Sequence, residues 1–496
     1  MKYIITLDVG TTEVKVGLFD QLLSTKCMVN EEYSIENPQC NLFEVSPSTY
    51  FDKTISGIKE VIRRSKISPA DVSVISVTSQ GETLVPIDAA GKELHNAIVW
   101  FDGRAVEEAA YINNLLGKQN IYEKTGTGDV TGATPISKVL WFKNKLPDIY
   151  QKTHKFLLVL DYIIFKLTGE YLTDSSVSSS TGYVDINQDC LWEEAIRALG
   201  LREDLFPRIL KSGSVLNKIN HSIAAELGLN ENIMICFAGM DQMSAAVGSG
   251  NLHEHTISET TGTALVISAT IKTPNFNMEG RPYITKHYGD QYLLMPYCPN
   301  AAIIQRWFKD EFCRDILSVS ENAGKSIYEI LESMAEESVP GSNGLVVLPH
   351  FSGKYAPDCN MSAKGVFYGI TLDTKRTDFI RAIYESIAFM LRENLEALVA
   401  QGIFISEIRS TGGGSKSDCW NQIKADVTGY RIISMSEVEN TSLGAAMIGS
   451  VGAGFHKDIN HAEECIVKKN TYNPNKNVNY EENYKQYKEI YKKLFD

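Results

Sequence analysis

The chain has no Cys-x-x-Cys pair, no His-Glu-x-x-His spacing, no run of basic residues and no long apolar span. Each absence excludes something. Its nine cysteines (Cys27, Cys40, Cys190, Cys236, Cys298, Cys313, Cys359, Cys419 and Cys465) are odd in number and scattered, which fits reduced thiols rather than a disulfide framework or a zinc site. The short pair His253 and His255 reads as surface or linker, not as metal ligands. At a formal net charge of −13, the chain lacks the basic face that a nucleic-acid partner requires. No stretch is apolar for long enough to span a bilayer, and Met1 to Asp8 run directly into a strand rather than a signal peptide. A cytoplasmic protein with no membrane partner is therefore expected.

Familiar nucleotide fingerprints are missing as well. Gly324-Lys325-Ser326 lacks the first glycine of a Walker loop and reads as a helix start, the His-Arg-Asp set of protein kinases is absent, and Gly126-x-Gly128 has no third glycine. A nucleotide, if bound, must be held by paired hairpins.

What is present is an ordinary globular composition, 43% hydrophobic and 22% charged. With 496 residues the chain is too long for one core, so two domains are expected. Residues 3–9 and 14–19 are β-rich runs around Gly10-Thr11-Thr12-Glu13, which reads as a hairpin. The device recurs where an extended run from Thr256 reaches Thr261-Gly262-Thr263 and continues through 265–268. Two such hairpins predict two related halves, 1–247 and 248–496, facing each other across a cleft, with 247–255 as the crossing point. Strand-like runs at 72–78 and 157–159 alternate with helical patterns at 105–116, 135–144 and 222–227, predicting an α/β fold. Farther on, 378–399 reads as a long amphipathic helix, 405–411 as a strand entering Gly412-Gly413-Gly414, and 418–427, 442–451 and 480–495 as helices.

Five constellations carry chemistry. In Asp8-x-Gly10-Thr11-Thr12-x-x-Lys15, glycine lets a turn approach a phosphate, threonine hydroxyls donate to it, Asp8 can hold Mg²⁺, and Lys15 adds positive charge. Thr260-Thr261-Gly262-Thr263 would approach the same phosphates from the other half. At Thr411-Gly412-Gly413-Gly414-Ser415-Lys416, three glycines at a strand end admit a flat ligand, and Asn421 and Gln422 begin a helix whose N-terminal end favours polar contacts. Ser79-Gln80-Gly81-Glu82-Thr83 and Trp100-x-Asp102-x-Arg104 combine amide, carboxylate and aromatic face, which suits a polyhydroxylated ligand; Asp102 and Arg104 could equally form a loop salt bridge. Finally, Gly239-Met240-Asp241-Gln242 sets a carboxylate at a strand-to-helix junction, where it can take a proton from an alcohol. Standing alone, such an Asp would be a helix N-cap.

Two longer signatures accompany these residues. Gly365-Val366-Phe367-Tyr368-Gly369-Ile370, with Asp378-Phe379 and Ala382-Ile383-Tyr384-Glu385, is complete; Pro135-x-x-Lys138-Val139-x-Trp141-Phe142-x-Asn144 departs from its pattern only at Ala133 and Lys145. With Leu167-Thr168-Gly169-Glu170, Thr173-Asp174-Ser175 and Leu443-Gly444-Ala445-Ala446, the chain resembles the FGGY family of carbohydrate kinases over most of its length. That resemblance implies a two-domain actin-like ATPase fold, ribonuclease H-like in each half, with an interdomain cleft. It implies ATP-dependent phosphorylation of a hydroxyl of a small sugar or polyol, a ketopentose or a related compound, with closure of the cleft excluding water. By the same resemblance Asp241 is the catalytic base and Asp8 the Mg²⁺-associated carboxylate. Gly10, Thr11, Thr12, Lys15, Thr261, Gly262 and Thr263 fall at phosphate positions, and Ala302, Gly412, Gly413, Gly414, Lys416 and Asn421 fall around the nucleotide. Gln80, Gly81, Glu82, Asp102, Arg104 and Gln242 fall toward the sugar. A homodimer is compatible with it.

Departures narrow the substrate. Gly81 stands where glycerol kinases place an arginine, which argues against glycerol, and Ser79-Gln80-Gly81 and Gln242 differ from the usual xylulose kinase loop and base neighbour. Ala302 and Gly353-Lys354-Tyr355 differ on the nucleotide side without removing a reacting group. The competing reading is a catalytically silent sugar-sensing protein on the same fold. It would be marked by loss of Asp8, Asp241 or a phosphate glycine, and all are present.

Overall fold

In the computed structural model, which describes residues 2–278, 280–316, 324–436 and 439–495, the chain opens as a hairpin. β1 (Tyr3–Val9) and β2 (Glu13–Asp20) pair antiparallel, from Tyr3 opposite Asp20 to Val9 opposite Val14. β3 (Thr25–Glu32) adds outside β2; β4 (Val72–Ser79), β5 (Val215–Leu216) and β6 (Met234–Met240) extend the other side, giving the order β5-β6-β4-β1-β2-β3. β1, β4 and β6 run parallel to one another. They are buried along nearly their whole length, which explains why their sequences are continuous apolar runs rather than alternating ones.

The plan repeats in the second half. β7 (Thr256–Thr261) and β8 (Leu265–Ile271) form a hairpin, and β9 (Tyr283–Lys286) and β10 (Tyr292–Met295) continue antiparallel beside β8. β11 (Glu407–Thr411) and β12 (Ile432–Met435) lie parallel to β7, and β13 (Lys468–Tyr472) closes the order β9-β10-β8-β7-β11-β12-β13. A smaller sheet of Glu44–Val45, Ala97–Ile98, Leu84–Ile87 and Lys155–Leu158 flanks the first and brackets residues 79–104.

Four helices position the site. α1 (Asp241–Gly248) follows β6 without a loop, α2 (Arg376–Ala400) is the long helix of the second half, α3 (Asp418–Thr428) follows the triple glycine, and α4 (Asn440–Gly452) returns to lie over β1, β4 and β6. α1 and α4 cross backbone to backbone. A Cβ on Gly444 would meet the Ser244 carbonyl oxygen at 1.8 Å, and one on Gly248 the Asn440 carbonyl oxygen at 1.9 Å. The small residues of Leu443-Gly444-Ala445-Ala446 are thus needed for contact, and Ser76 Oγ on β4 donates to the Ala445 carbonyl at 2.6 Å.

Most expected elements form, with shifted edges. The strand expected at 157–159 ends at Leu158, because Val159 already begins the helix Val159–Thr168. The strand expected from 405 begins at Glu407. Ser326 caps the helix Ile327–Glu337, its hydroxyl accepting the Glu329 N–H while the Glu329 carboxylate accepts the Ser326 N–H, so Gly324-Lys325-Ser326 is a helix start. Among the described residues no helix is long and apolar enough to cross a membrane.

Candidate active site

The chemistry-bearing loops lie at the carboxyl ends of adjacent parallel strands, where open α/β sheets bind ligands. Asp8 is near the end of β1, Gln80 follows β4 and Asp241 follows β6; Gly262 and Gly412 follow β7 and β11.

Asp241 is the first residue inside α1, and the cap position is Met240, so Asp241 does not cap the helix with its side chain. The approach to it requires glycine: Gly239 has φ 76°, and a Cβ there would meet Ser176 Oγ at 2.2 Å and Met243 Cε at 2.4 Å. Ser176 Oγ accepts the Met240 N–H at 2.9 Å and donates to Asp174 at 2.5 Å, which fixes the backbone just before the acid. Burial raises the Asp241 carboxyl to about 6, with the Gln242 N–H, 2.7 Å from Oδ1, pulling it back down.

Asp8 is raised further, to about 7, by burial first and then by the charge of Asp241, while Lys15 opposes the shift. Its carboxylate accepts no hydrogen bond among the described residues. Lys15 donates instead to Glu439 at 2.8 Å, tying the first hairpin to the residue before α4. The hairpin turn itself is held from below. Its Gly10 carbonyl accepts from Gln80 Nε2 at 2.9 Å and from the Tyr33 hydroxyl, and Trp100 Nε1 donates to Thr11 Oγ1 at 3.0 Å. Thr12 and Thr263, both exposed at the tips of their hairpins, make no side-chain hydrogen bond among the described residues.

A cavity of about 440 Å³ is lined by Thr11, Gln80, Gly81, Glu82, Trp100, Asp241 and Gln242 from the first half and by Val266, Tyr283, Met295 and Tyr297 from the second. Glu82 has φ 63° and accepts the Tyr283 hydroxyl at 3.2 Å. Burial lifts its carboxyl, and the buried Lys138 opposes the lift. Lys138 Nζ donates to the carbonyls of Glu82 and Val99, both at 3.0 Å, and so shapes the loop from behind. Asp102 and Arg104 do not line this cavity. Asp102 accepts two guanidinium bonds from Arg104 at 2.8 Å and the Phe43 N–H at 2.6 Å, and Arg104 also pairs with Glu44 and stacks over Trp141. Two charges so fully paired brace the loop that carries Trp100.

A second cavity, of about 620 Å³, is lined by Gly262, Thr263, Ala302, Gly413, Gly414 and Lys416, together with Arg306, Tyr328, Glu332, Tyr384 and Trp420. Ala302 donates its N–H to the Gly262 carbonyl at 2.9 Å, so its methyl group sits at the hairpin. Three expected residues stand behind the wall instead. Thr261 is buried and donates to Glu259 at 2.7 Å; Asn421 is buried and donates to the Ser415 carbonyl at 2.8 Å, holding the glycine loop; Gly412 has φ 78° with Thr261 O 3.0 Å from where a Cβ would be. Lys354 is locked in ion pairs with Asp358 and Glu393, each at 2.7 Å.

Sequence reasoning did not find Tyr283, Tyr297, Arg306 or Tyr328. Each is an isolated residue with no motif around it, brought to a wall by long-range strand pairing or helix packing.

Residues 3–248 match the N-terminal domain of the FGGY family of carbohydrate kinases and residues 258–453 its C-terminal domain. The chain belongs to the FGGY family. It is a carbohydrate kinase, in a family whose phosphate donor is ATP. This FGGY kinase is 27% identical over 500 residues to a xylulose kinase of Staphylococcus xylosus, covering 100% of both chains. To a gluconokinase of Bacillus licheniformis it is 26% identical over 489 residues, covering 98% of this chain and 94% of that one. The crystal structure of a ligand-bound xylulose kinase from Lactobacillus acidophilus superposes with a TM-score of 0.90 at 25% identity, covering 100% of this chain and 98% of that one. The fold is thus the expected two-domain actin-like ATPase fold.

Proposed function

We propose that this kinase transfers the γ-phosphoryl group of ATP to a hydroxyl of a small sugar or polyol, a ketopentose or a close relative, with Asp241 as general base. The acceptor oxygen bonds to the γ-phosphorus, its proton passes to Asp241, and the bond from that phosphorus to the β–γ bridging oxygen breaks to release ADP. One observation carries the reading: Asp241, Glu82 and the phosphate-type turn at Thr11 share the wall of a single cavity of about 440 Å³ built from both halves of the chain. Raised to about 6, Asp241 is ionised at neutral pH and still a better base than an exposed carboxylate. The names of the relatives, xylulose kinase and gluconokinase, support an acceptor of that size class.

Thr11, Thr12 and Thr263, with the bare backbone at Gly10 and Gly262, are suited to hold the phosphates. The cavity of about 620 Å³ at Gly413, Gly414, Lys416 and Trp420 suits the nucleoside. Asp8 fits a divalent cation: it is buried beside another carboxylate and has no hydrogen-bond donor among the described residues. Asp8 would hold Mg²⁺ directly or through water, and that ion would supply neutralisation of phosphate charge. Lobes 1–247 and 248–496 would close on the substrates, with α4 as a shared element. Work in the cytoplasm and assembly as a homodimer are part of the same proposal, the latter read directly by sedimentation.

The test is ADP release in a coupled assay across ketopentoses, alditols, aldonates and tetritols. Acceptor-dependent ADP release is expected for at least one of them; turnover of ATP that no acceptor stimulates would overturn the reading.

A further inference from the structure

Resting on the kinase reading above, the polar inventory of the acceptor cavity carries one step further. Among the described residues its wall contains two carboxylates, Glu82 and Asp241, and no arginine, lysine or histidine. Three cations of the surrounding structure are held by other groups. Lys138, fully buried behind Glu82, spends its ammonium on two backbone carbonyls at 3.0 Å. Lys15 is paired with Glu439 at 2.8 Å, and Arg281, close to Tyr283 in sequence, with Asp129 at 2.8 Å.

The neutral groups add little that could receive an anion. Gln80 is occupied on both sides, donating to the Gly10 carbonyl at 2.9 Å and accepting from Thr83 at 3.2 Å. The Tyr283 hydroxyl is directed to Glu82 Oε1 at 3.2 Å, and the Trp100 indole N–H to Thr11 at 3.0 Å. What remains is one oxygen each on Glu82 and Asp241, both acceptors, and three neutral groups that can donate: the Gln242 amide and the Tyr297 hydroxyl, which make no side-chain hydrogen bond among the described residues, and the Thr11 hydroxyl, whose oxygen alone is used by Trp100.

From this inventory we infer that the acceptor site selects neutral alditols and ketoses over aldonates, and that Glu82 is a residue that sets the choice. A hydroxyl can donate to either carboxylate oxygen and accept from the Gln242 amide. A carboxylate offers acceptors only, and would face acceptors of its own charge in a site with no cation to receive it. The cost is one of unpaired and repelling polar groups rather than of size, the kind of mismatch that gives large discrimination between compounds of nearly equal volume. The gluconokinase among the relatives, at 26% identity, does not carry its aldonate specificity onto this wall.

The experiment compares kcat/KM for matched pairs that differ only in one terminus, xylitol against xylonate and glucitol against gluconate, beside xylulose and ribulose. Wild-type enzyme is expected to favour the neutral compounds by at least about a hundredfold. Glu82→Gln, with folding checked by thermal melting, should shrink that ratio about tenfold while leaving the KM for ATP unchanged. Because Glu82→Gln removes one of the two anions near Lys138, Asp102 being the other, Gln242→Lys provides an independent variant: a cation in the wall should raise aldonate turnover relative to the alditol. An aldonate used by the wild type as well as its alditol would overturn this inference while leaving the kinase reading intact, since ADP would still be formed. No acceptor-dependent ADP from any compound would overturn both.

Discussion

Asp8 and Lys15 sit directly opposite each other in the ladder of the first hairpin, yet the Lys15 ammonium is bonded to Glu439, 2.8 Å away, and Asp8 is left without a hydrogen-bonding partner among the described residues. Burial, and after it the charge of Asp241, lift the Asp8 carboxyl from 3.8 to about 7, a rise that Lys15 only partly opposes. A group whose folded pKa lies above its unfolded value gives stability that is fully present below the unfolded pKa and is lost as pH rises through the folded one. In chelator, the melting temperature of the wild type should therefore fall between about pH 4 and pH 7 relative to that of Asp8→Asn. Mg²⁺ should restore it by binding the native state. Parallel pH profiles of the two proteins would refute the assignment.

Replacing Asp241 with Asn should lower kcat by about 10² to 10⁴ while the KM for ATP changes little. The wild type should show an acid limb in kcat/KM near pH 6, set by the neighbouring carboxyls Asp8 and Asp241 as a pair, with activity lost as the base is protonated. That limb should be altered in Asp241→Asn. A variant with full turnover would remove Asp241 from the chemistry.

Gly413 and Gly414 are adjacent in sequence and opposite in consequence. A Cβ on Gly413 has nothing within 4 Å and would enter the cavity of about 620 Å³ proposed for the nucleoside, whereas one on Gly414 would meet Thr261 Cγ2 at 2.6 Å. Gly413→Val should raise the KM for ATP about tenfold or more with stability unchanged within about 0.5 kcal/mol. Gly414→Val should instead destabilise the fold by about 1–3 kcal/mol. Denaturant titration alongside ATP kinetics separates the two, and equal behaviour would contradict the geometry.

Behind the hairpin at Gly262 and the triple glycine, Lys424 and Glu259 form a fully buried ion pair at 2.6 Å, with Thr261 donating to the same carboxylate at 2.7 Å. Lys424→Met alone should cost about 3–5 kcal/mol, because it strands a buried charge, and Lys424→Met with Glu259→Leu should recover a large part of that. A double-mutant cycle in denaturant measures the coupling; additive losses would deny it.

How far these features can be read from sequence depends on how local their cause is. The two hairpins, the triple glycine and Asp241 were legible because a turn, a positive φ or a strand end leaves a mark within a few residues. Asp102 and Arg104 were legible as a polar pair but not as a brace, since only the fold brings Glu44 and Trp141 to them. Tyr283 and Tyr297 reach the cavity of about 440 Å³ at Asp241 through strand pairing in the other half, and nothing near them in sequence marks it. The helix over 442–451 could be recognised from its pattern. Its small residues announced a close neighbour without saying that the neighbour would be α1 and the first sheet.

That crossing of α1 and α4 gives the molecule a fulcrum. Gly248 and Gly444 touch without intervening side chains, so a small turn there requires little repacking, and Asp241, joined directly to β6, stands at the far end of an α1 lever eight residues long. At about 1.5 Å per residue the arm is about 12 Å. A turn of about 10° between the two helices would displace the acid by about 2 Å relative to the second half, enough to make or break a single hydrogen bond.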